Sequence, residues 1–152
     1  MINSNTARPL VRFYLYQHKN DPYLRLQFAC KLVEKAQNLN QRVAILCADK
    51  NQSTELNHQL WAFKPESFIP HCLSEFAQQH EDTTAILYTA PERIHQADII
   101  INLSLEPQVD IPKRSQRIFE IIIQEPNVLN ATRKRYQHYQ KLNLQPELYP
   151  LD

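Results

Sequence analysis

A chain of 152 residues, 43% hydrophobic and 22% charged, holds enough apolar material for one core of its own, and its length argues for one domain rather than two. A formal net charge of +1 excludes a uniformly basic surface that coats nucleic acid, and the lack of any apolar run of about 18 residues excludes a membrane-spanning helix. The chain has no glycine, where average usage is near 7%; this excludes standard phosphate-cradling loops, dinucleotide fingerprints and the serine nucleophile elbow, all of which need backbone that only glycine supplies.

The start, Met1-Ile2-Asn3-Ser4-Asn5, lacks the basic-then-apolar build of a secretory signal, so the expected location is cytoplasmic. Val11 to Tyr16, rich in β-branched and aromatic residues and closed by a polar turn, predicts a first strand. Asp21 and Pro22 supply an N-cap and a first-turn proline, and Leu24, Phe28, Leu32, Ala36 and Leu39 recur one turn apart, which predicts an amphipathic helix. Arg42 to Cys47 is a nearly continuous apolar run, the pattern of a strand covered on both faces. A second helix begins between Asn51 and Thr54 and carries Leu56, Leu60 and Trp61 to a proline-punctuated segment that ends it.

Ala85 to Tyr88, Ile99 to Leu103 and Ile118 to Ile123 predict three more buried strands, and a last helix runs from about Pro126 to Lys141 with Leu129, Thr132, Tyr136 and Tyr139 along one stripe. Strands alternating with helices predict a single α/β domain over residues 1–152: a mostly parallel sheet with helices on both faces, Rossmann-like but without a nucleotide-binding loop. Without glycine, positive-φ positions fall on Asn or Asp, and Asn38, Asn40 and Asn143 stand where helices end, the place for a C-capping residue.

Charge is uneven along this frame. From Lys113 to Lys141 seven basic residues (Lys113, Arg114, Arg117, Arg133, Lys134, Arg135, Lys141) face Glu120 and Glu125, a local balance of +5 that leaves −4 for the remainder. One basic region in a near-neutral chain predicts a local acidic or phosphate-bearing partner.

Two stretches are more specific. Leu60-Trp61-Ala62-Phe63-Lys64-Pro65-Glu66-Ser67-Phe68-Ile69-Pro70-His71 resembles the distinctive loop motif of the chi subunits of bacterial DNA polymerase III. Arg133-x-Arg135-Tyr136-x-x-Tyr139, followed by a short polar tail at Asn143-Leu144, is similar to that family's C-terminal helix. The strands Phe13-Tyr14-Leu15, Val43 to Cys47 and Asp98 to Leu103 follow in the family's order.

The resemblance implies a nucleotide-binding-like fold with no active site and no cofactor, in an adaptor that performs no chemistry. It implies pairing with the psi subunit, which tethers chi to the clamp loader, and binding of the acidic, hydrophobic-ended C-terminal tail of single-stranded DNA-binding protein. DNA contact is then indirect. In some members a repair helicase is implied as an alternative partner at the psi-facing surface. Trp61, Phe68 and Pro70 are assigned to the psi interface, since large aromatics on a rigid platform dominate interface energy, at roughly 2 kcal/mol or more each as hot spots. The competing view is that Trp61 and Phe68 close the local core.

Arg133, Tyr136 and Gln137, at i, i+3 and i+4, share a helix face and are assigned to the tail: an Arg holds carboxylates while a Tyr covers the apolar end. The competing view is a solvated basic face. The family commonly has lysine where Gln137 stands; Lys134 and Arg135 are the charges near enough to compensate, each turned about 100° or more from its neighbour.

Other candidates are weaker. His71-Cys72 is the one close His/Cys pair among six histidines and three cysteines, which is no ligand set, so no metal is expected. Cys30 and Cys47 have no base partner identifiable in sequence, and Asp49 reads as a helix cap. A small α/β enzyme with an unconventional nucleotide or hydrolytic site is the alternative class, on fold analogy alone. Direct single-strand binding through the basic region is a third.

Overall fold

Seven strands, every neighbouring pair parallel, form one sheet in the order β3-β4-β2-β5-β6-β1-β7. The computed structural model describes residues 8–63, 69–79, 83–107 and 115–152. In chain order the elements are β1 (Leu10–Leu15), α1 (Pro22–Asn38), β2 (Val43–Leu46), α2 (Lys50–Ala62), β3 (His71–Leu73), β4 (Ala85–Tyr88), β5 (Ile99–Asn102), β6 (Arg117–Ile122), α3 (Pro126–Lys141) and β7 (Glu147–Pro150), with 3₁₀ segments at Ser74–Gln79 and Pro91–Arg93.

Parallel strands require crossovers, and the helices that supply them cover both faces. On one face α1 and α2 pack over Tyr14, Ile45, Ile101 and Ile121. On the other, α3 lies on β6 and β1 over Val11, Phe13, Ile118 and Ile122, and the connection into β5 sets Ile94 and Ala97 on Ala44, Leu46 and Ile100. This is the Rossmann-like α/β architecture that the alternation predicts.

Local sequence fixes the helix ends. Asp21 accepts the Tyr23 N–H at 3.0 Å, Asp49 accepts the Gln52 N–H at 2.8 Å, and Glu125 accepts those of Asn127 and Val128, each satisfying amides that the first turn leaves unpaired. At the C-terminal ends, Asn40 (φ 56°) and Asn143 (φ 62°) take the left-handed conformation. Around each, two bonds close a Schellman motif: Gln41 N–H to Ala36 O and Asn40 N–H to Gln37 O after α1, Leu144 N–H to Tyr139 O and Asn143 N–H to Gln140 O after α3. Of the three asparagines that sequence sets at helix ends, Asn40 and Asn143 take positive φ, whereas Asn38 is the last residue of α1 and does not.

The sheet departs from expectation at both edges. Sequence predicts five strands; the structure adds β3 and β7, one at each edge. The expected short polar tail at Asn143-Leu144 continues into β7, which pairs with β1 from Arg12↔Glu147 to Leu15↔Pro150. An edge strand needs only one paired side and tolerates proline and polar residues, so neither carries a buried-strand pattern. The α1 stripe is also rotated: Arg25, Leu26, Ala29, Cys30, Leu32, Val33 and Ala36 are buried, whereas Leu39 is exposed.

The two asparagine caps generate a prediction. Asn143→Gly should leave unfolding free energy unchanged or raise it by less than about 1 kcal/mol, because glycine takes positive φ without a Cβ penalty. Asn143→Val should lower it by about 1–2 kcal/mol, read from urea denaturation.

Candidate protein-binding sites

A buried ion pair positions the C-terminal helix. Glu120 lies in the middle of β6 with Phe13 of β1 and Asn102 of β5 as its register neighbours. The parallel ladder therefore puts this carboxylate on the α3 face, 0% exposed. Arg135, one turn before Tyr139 on the inward stripe of α3, is 1% exposed and meets it with two arms: Nε at 2.9 Å from Oε2 and Nη2 at 2.8 Å from Oε1. Tyr139 donates its hydroxyl to Oε2 at 2.7 Å. The remaining arm of Arg135, Nη1, donates to the Glu106 carbonyl at 2.6 Å and so ties the chain after β5 to α3. Burial opposes the Arg135 charge, but Glu120 outweighs it and holds the guanidinium above its ordinary range.

From the opposite face, Arg25 of α1 is fully buried and donates to the carbonyls of Ile121 (2.9 Å) and Leu103 (3.0 Å). Burial, then the like charge of Arg135, lowers its pKa to about 10. It is a cation at neutral pH, and the charge of Glu120, which Arg25 does not touch, opposes that lowering.

The candidate tail residues sit on the outer half of α3. Arg133 and Gln137 are exposed, and Tyr136 is half-buried. The Tyr136 ring lies 5.1 Å from that of Phe13 and its hydroxyl donates to the Pro146 carbonyl at 3.2 Å, so it is fastened to the β1 and β7 side. Arg135 is ruled out as the compensating charge: Glu120 occupies it, and it leaves the count of surface cations. Lys134 is exposed and lines an open cavity of about 200 Å³ together with Gln137, His138, Lys141 and Pro107. Lys113 and Arg114 lie outside the described residues.

The candidate psi residues are at the other end of the sheet. Leu56 and Leu60 of α2 enter the core, while Trp61 is 58% exposed, its ring 4.9 Å from that of His71 and edge-on to it. Core closure therefore does not account for this tryptophan. Pro70 is half-buried, and its carbonyl accepts the N–H groups of Thr84 (2.8 Å) and Ala85 (3.2 Å), pinning the chain at the entry to β3. His71 Nδ1 lies 2.8 Å from the Ile69 carbonyl. Phe68 lies outside the described residues.

Burial pushes the Cys30 thiol up to about 12; Cys47 reaches about 12 for the same reason, with Asp49 adding to it and a Ser53 hydrogen bond opposing. Both are protonated apolar groups at neutral pH rather than nucleophiles. Asp49 caps α2. Among the described residues no helix is long and apolar enough to cross a membrane.

Comparisons with known proteins converge on one family. A sequence model described as DNA polymerase III chi subunit, HolC, matches residues 9–147. The DNA polymerase III subunit chi of Pseudomonas aeruginosa is 39% identical over 121 residues, covering 80% of this chain and 82% of that protein. The Haemophilus influenzae subunit is 29% identical over 78% of this chain and 80% of its own length, and the Escherichia coli subunit 26% identical over 74% and 76%. Among solved structures, the C-terminal domain of the DEAD-box protein Dbp5 superposes with a TM-score of 0.63 at 11% identity, covering 97% of this chain and 92% of that domain. Dbp5 L327V bound to RNA and ADP BeF3 gives 0.67 at 11% identity, covering 99% of this chain and 44% of that one. These two likenesses concern the fold.

The buried pair predicts a large and specific cost. Glu120→Gln should destabilise the protein by about 3–5 kcal/mol by stranding Arg135, and replacing both with Glu120→Leu and Arg135→Met should recover most of that loss, measured by chemical denaturation. Burial and then the Glu120 charge raise the Tyr139 hydroxyl well above its ordinary range. Its neutral form is therefore favoured by folding, and that contribution is complete below about pH 10 and lost as the pH climbs above it. Stability should fall on the alkaline side of pH 10, and Tyr139→Phe should flatten that fall.

Proposed function

The chain belongs to the DNA polymerase III chi subunit family, and from that premise we propose that it is a non-catalytic adaptor joining the psi subunit to the C-terminal tail of single-stranded DNA-binding protein. Family membership gives it an accessory place in DNA replication. The finer assignment rests on one observation: the two candidate patches occupy opposite faces and opposite halves of a rigid sheet. Trp61 and Pro70 belong to the α2, β3 and β4 side. Arg133, Tyr136 and Gln137 belong to α3, which packs on β6 and β1 across the other face. Two partners docked there meet no common residue, which is what a link between assemblies requires.

Each patch suits its partner. An exposed tryptophan beside a proline held by two backbone hydrogen bonds is a low-entropy anchor for an apolar surface. Exposed cations on α3, above a helix axis that the buried pair fixes, suit a peptide of side-chain and terminal carboxylates. Tyr136, half-buried and tethered, offers its ring as the cover for the apolar last residue. An alternative helicase partner at the Trp61 surface fits the same anchor, and the work of the protein is cytoplasmic, with DNA held only through its partners.

The test is calorimetric. Trp61→Ala should weaken psi binding by roughly thirtyfold, the equivalent of about 2 kcal/mol, without loss of thermal stability; undiminished affinity refutes the psi assignment. Arg133→Ala should weaken binding of a synthetic tail peptide at low salt, and Gln137→Lys should strengthen it several-fold; a tail affinity indifferent to both refutes the α3 assignment.

A further inference from the structure

The sequence has a single tryptophan, and Trp61 stands 58% exposed near the end of α2. A side chain this exposed is ordinarily free to change rotamer, and ordering it on docking costs affinity. Here the ring has a fixed neighbour. The imidazole of His71, the first residue of β3, lies 4.9 Å away at 63°, the edge-to-face arrangement that aromatic rings prefer.

His71 is itself held in place. It is 8% exposed, and its Nδ1 lies 2.8 Å from the Ile69 carbonyl. A carbonyl only accepts, so Nδ1 carries the ring proton, and the backbone two residues earlier sets the plane of the imidazole. Ile69 is 2% exposed within the main core. The next carbonyl, that of Pro70, accepts the N–H groups of Thr84 and Ala85 at the start of β4. The chain from Ile69 to His71 is thus tied to the core and to the neighbouring strand, and His71 passes that fixity on to Trp61.

The other ring nitrogen marks the imidazole as a residue that stability alone does not select. Nε2 is buried and has no hydrogen-bond partner among the described residues. An unpaired buried acceptor carries a cost that an apolar side chain avoids. What an apolar side chain cannot supply is the bond to Ile69 that orients the ring.

We propose that His71 is the positioning residue of the Trp61 anchor: its locked imidazole holds the indole in the outward pose that meets the psi subunit. The proposal rests on the psi reading of Trp61 and deepens it. His71 acts through the tryptophan, by removing from the docking step the cost of ordering that ring.

Two variants of the full chain test this, both needed because His71 is buried. His71→Leu fills the site without an unpaired acceptor, and His71→Asn keeps a donor for the Ile69 carbonyl but has no ring. Time-resolved fluorescence anisotropy of the single tryptophan reads the motion of the indole, calorimetry reads psi binding, and thermal melting controls for folding. His71→Leu should melt at or above the wild-type temperature. Both variants should show faster local motion of Trp61 and a psi affinity about three- to tenfold lower, the equivalent of ordering one more side chain on docking. Wild-type anisotropy in either folded variant overturns the proposal whatever the affinity, because His71 then does not hold the ring. Faster indole motion with undiminished psi affinity overturns it as well, and a parallel titration of Trp61→Ala separates the two readings. A loss of affinity there keeps psi at Trp61 and removes only the role of His71; undiminished affinity there removes both.

Discussion

The carboxylate of Glu120 is the constraint on which the placement of α3 against the sheet depends. A buried anion in the middle of a parallel sheet costs several kcal/mol unless it is paired and hydrogen-bonded. Here every approach to it is occupied, by two arms of Arg135 and by the Tyr139 hydroxyl. The pair does more than offset its own burial. It sets the rotation of α3 about its axis, and with it the side of the helix on which each surface residue falls. Through the third arm of Arg135 it also docks the chain at Glu106. An apolar contact at the same place would allow the helix to slide or turn, whereas a two-armed guanidinium accepts only a narrow range of geometries.

Rigidity of this kind suits the proposed adaptor, in which two surfaces must be kept apart and correctly aimed. The glycine-free sequence fits the same purpose. Where a left-handed residue is needed, asparagine supplies it, as at Asn40 and Asn143, and among the other described residues the backbone stays within the conformations open to any residue. The likeness to the C-terminal domain of a DEAD-box protein shows the same α/β layering reached with 11% identity. A shared fold carries no function by itself. Here the strand ends present capped helices and the buried guanidinium of Arg25, and a chain without glycine has no standard phosphate loop to set beside them.

Much of the fold is legible from sequence because central parallel strands carry unbroken apolar runs, and because helix starts are written as Asp21-Pro22, Asp49 and Glu125-Pro126. The edges are not legible. His71–Leu73 is too short to show a period, and Glu147–Pro150 is exposed along its whole length, so its pairing with β1 is a tertiary choice without a local signature. Helical spacing also says which residues share a face, not which of them find a partner inside. That is why Arg135 counts as a surface cation until Glu120 is seen beside it. The signal was present in the run Ile118-Phe119-Glu120-Ile121-Ile122-Ile123, since one acid among buried apolar residues demands a buried cation or donor. Spacing likewise groups Tyr136 with Arg133 and Gln137, whereas the ring contact with Phe13 draws it to one flank and leaves Gln137 to border the cavity on the other.

A link between two assemblies must hold both at once. The direct measurement is titration of the tail peptide of single-stranded DNA-binding protein into the chain already saturated with psi, followed by sedimentation of the mixture. Two patches on opposite faces predict a one-to-one-to-one complex and a tail affinity unchanged by psi. Competition between psi and the tail, or a tail affinity abolished by psi, would contradict the account.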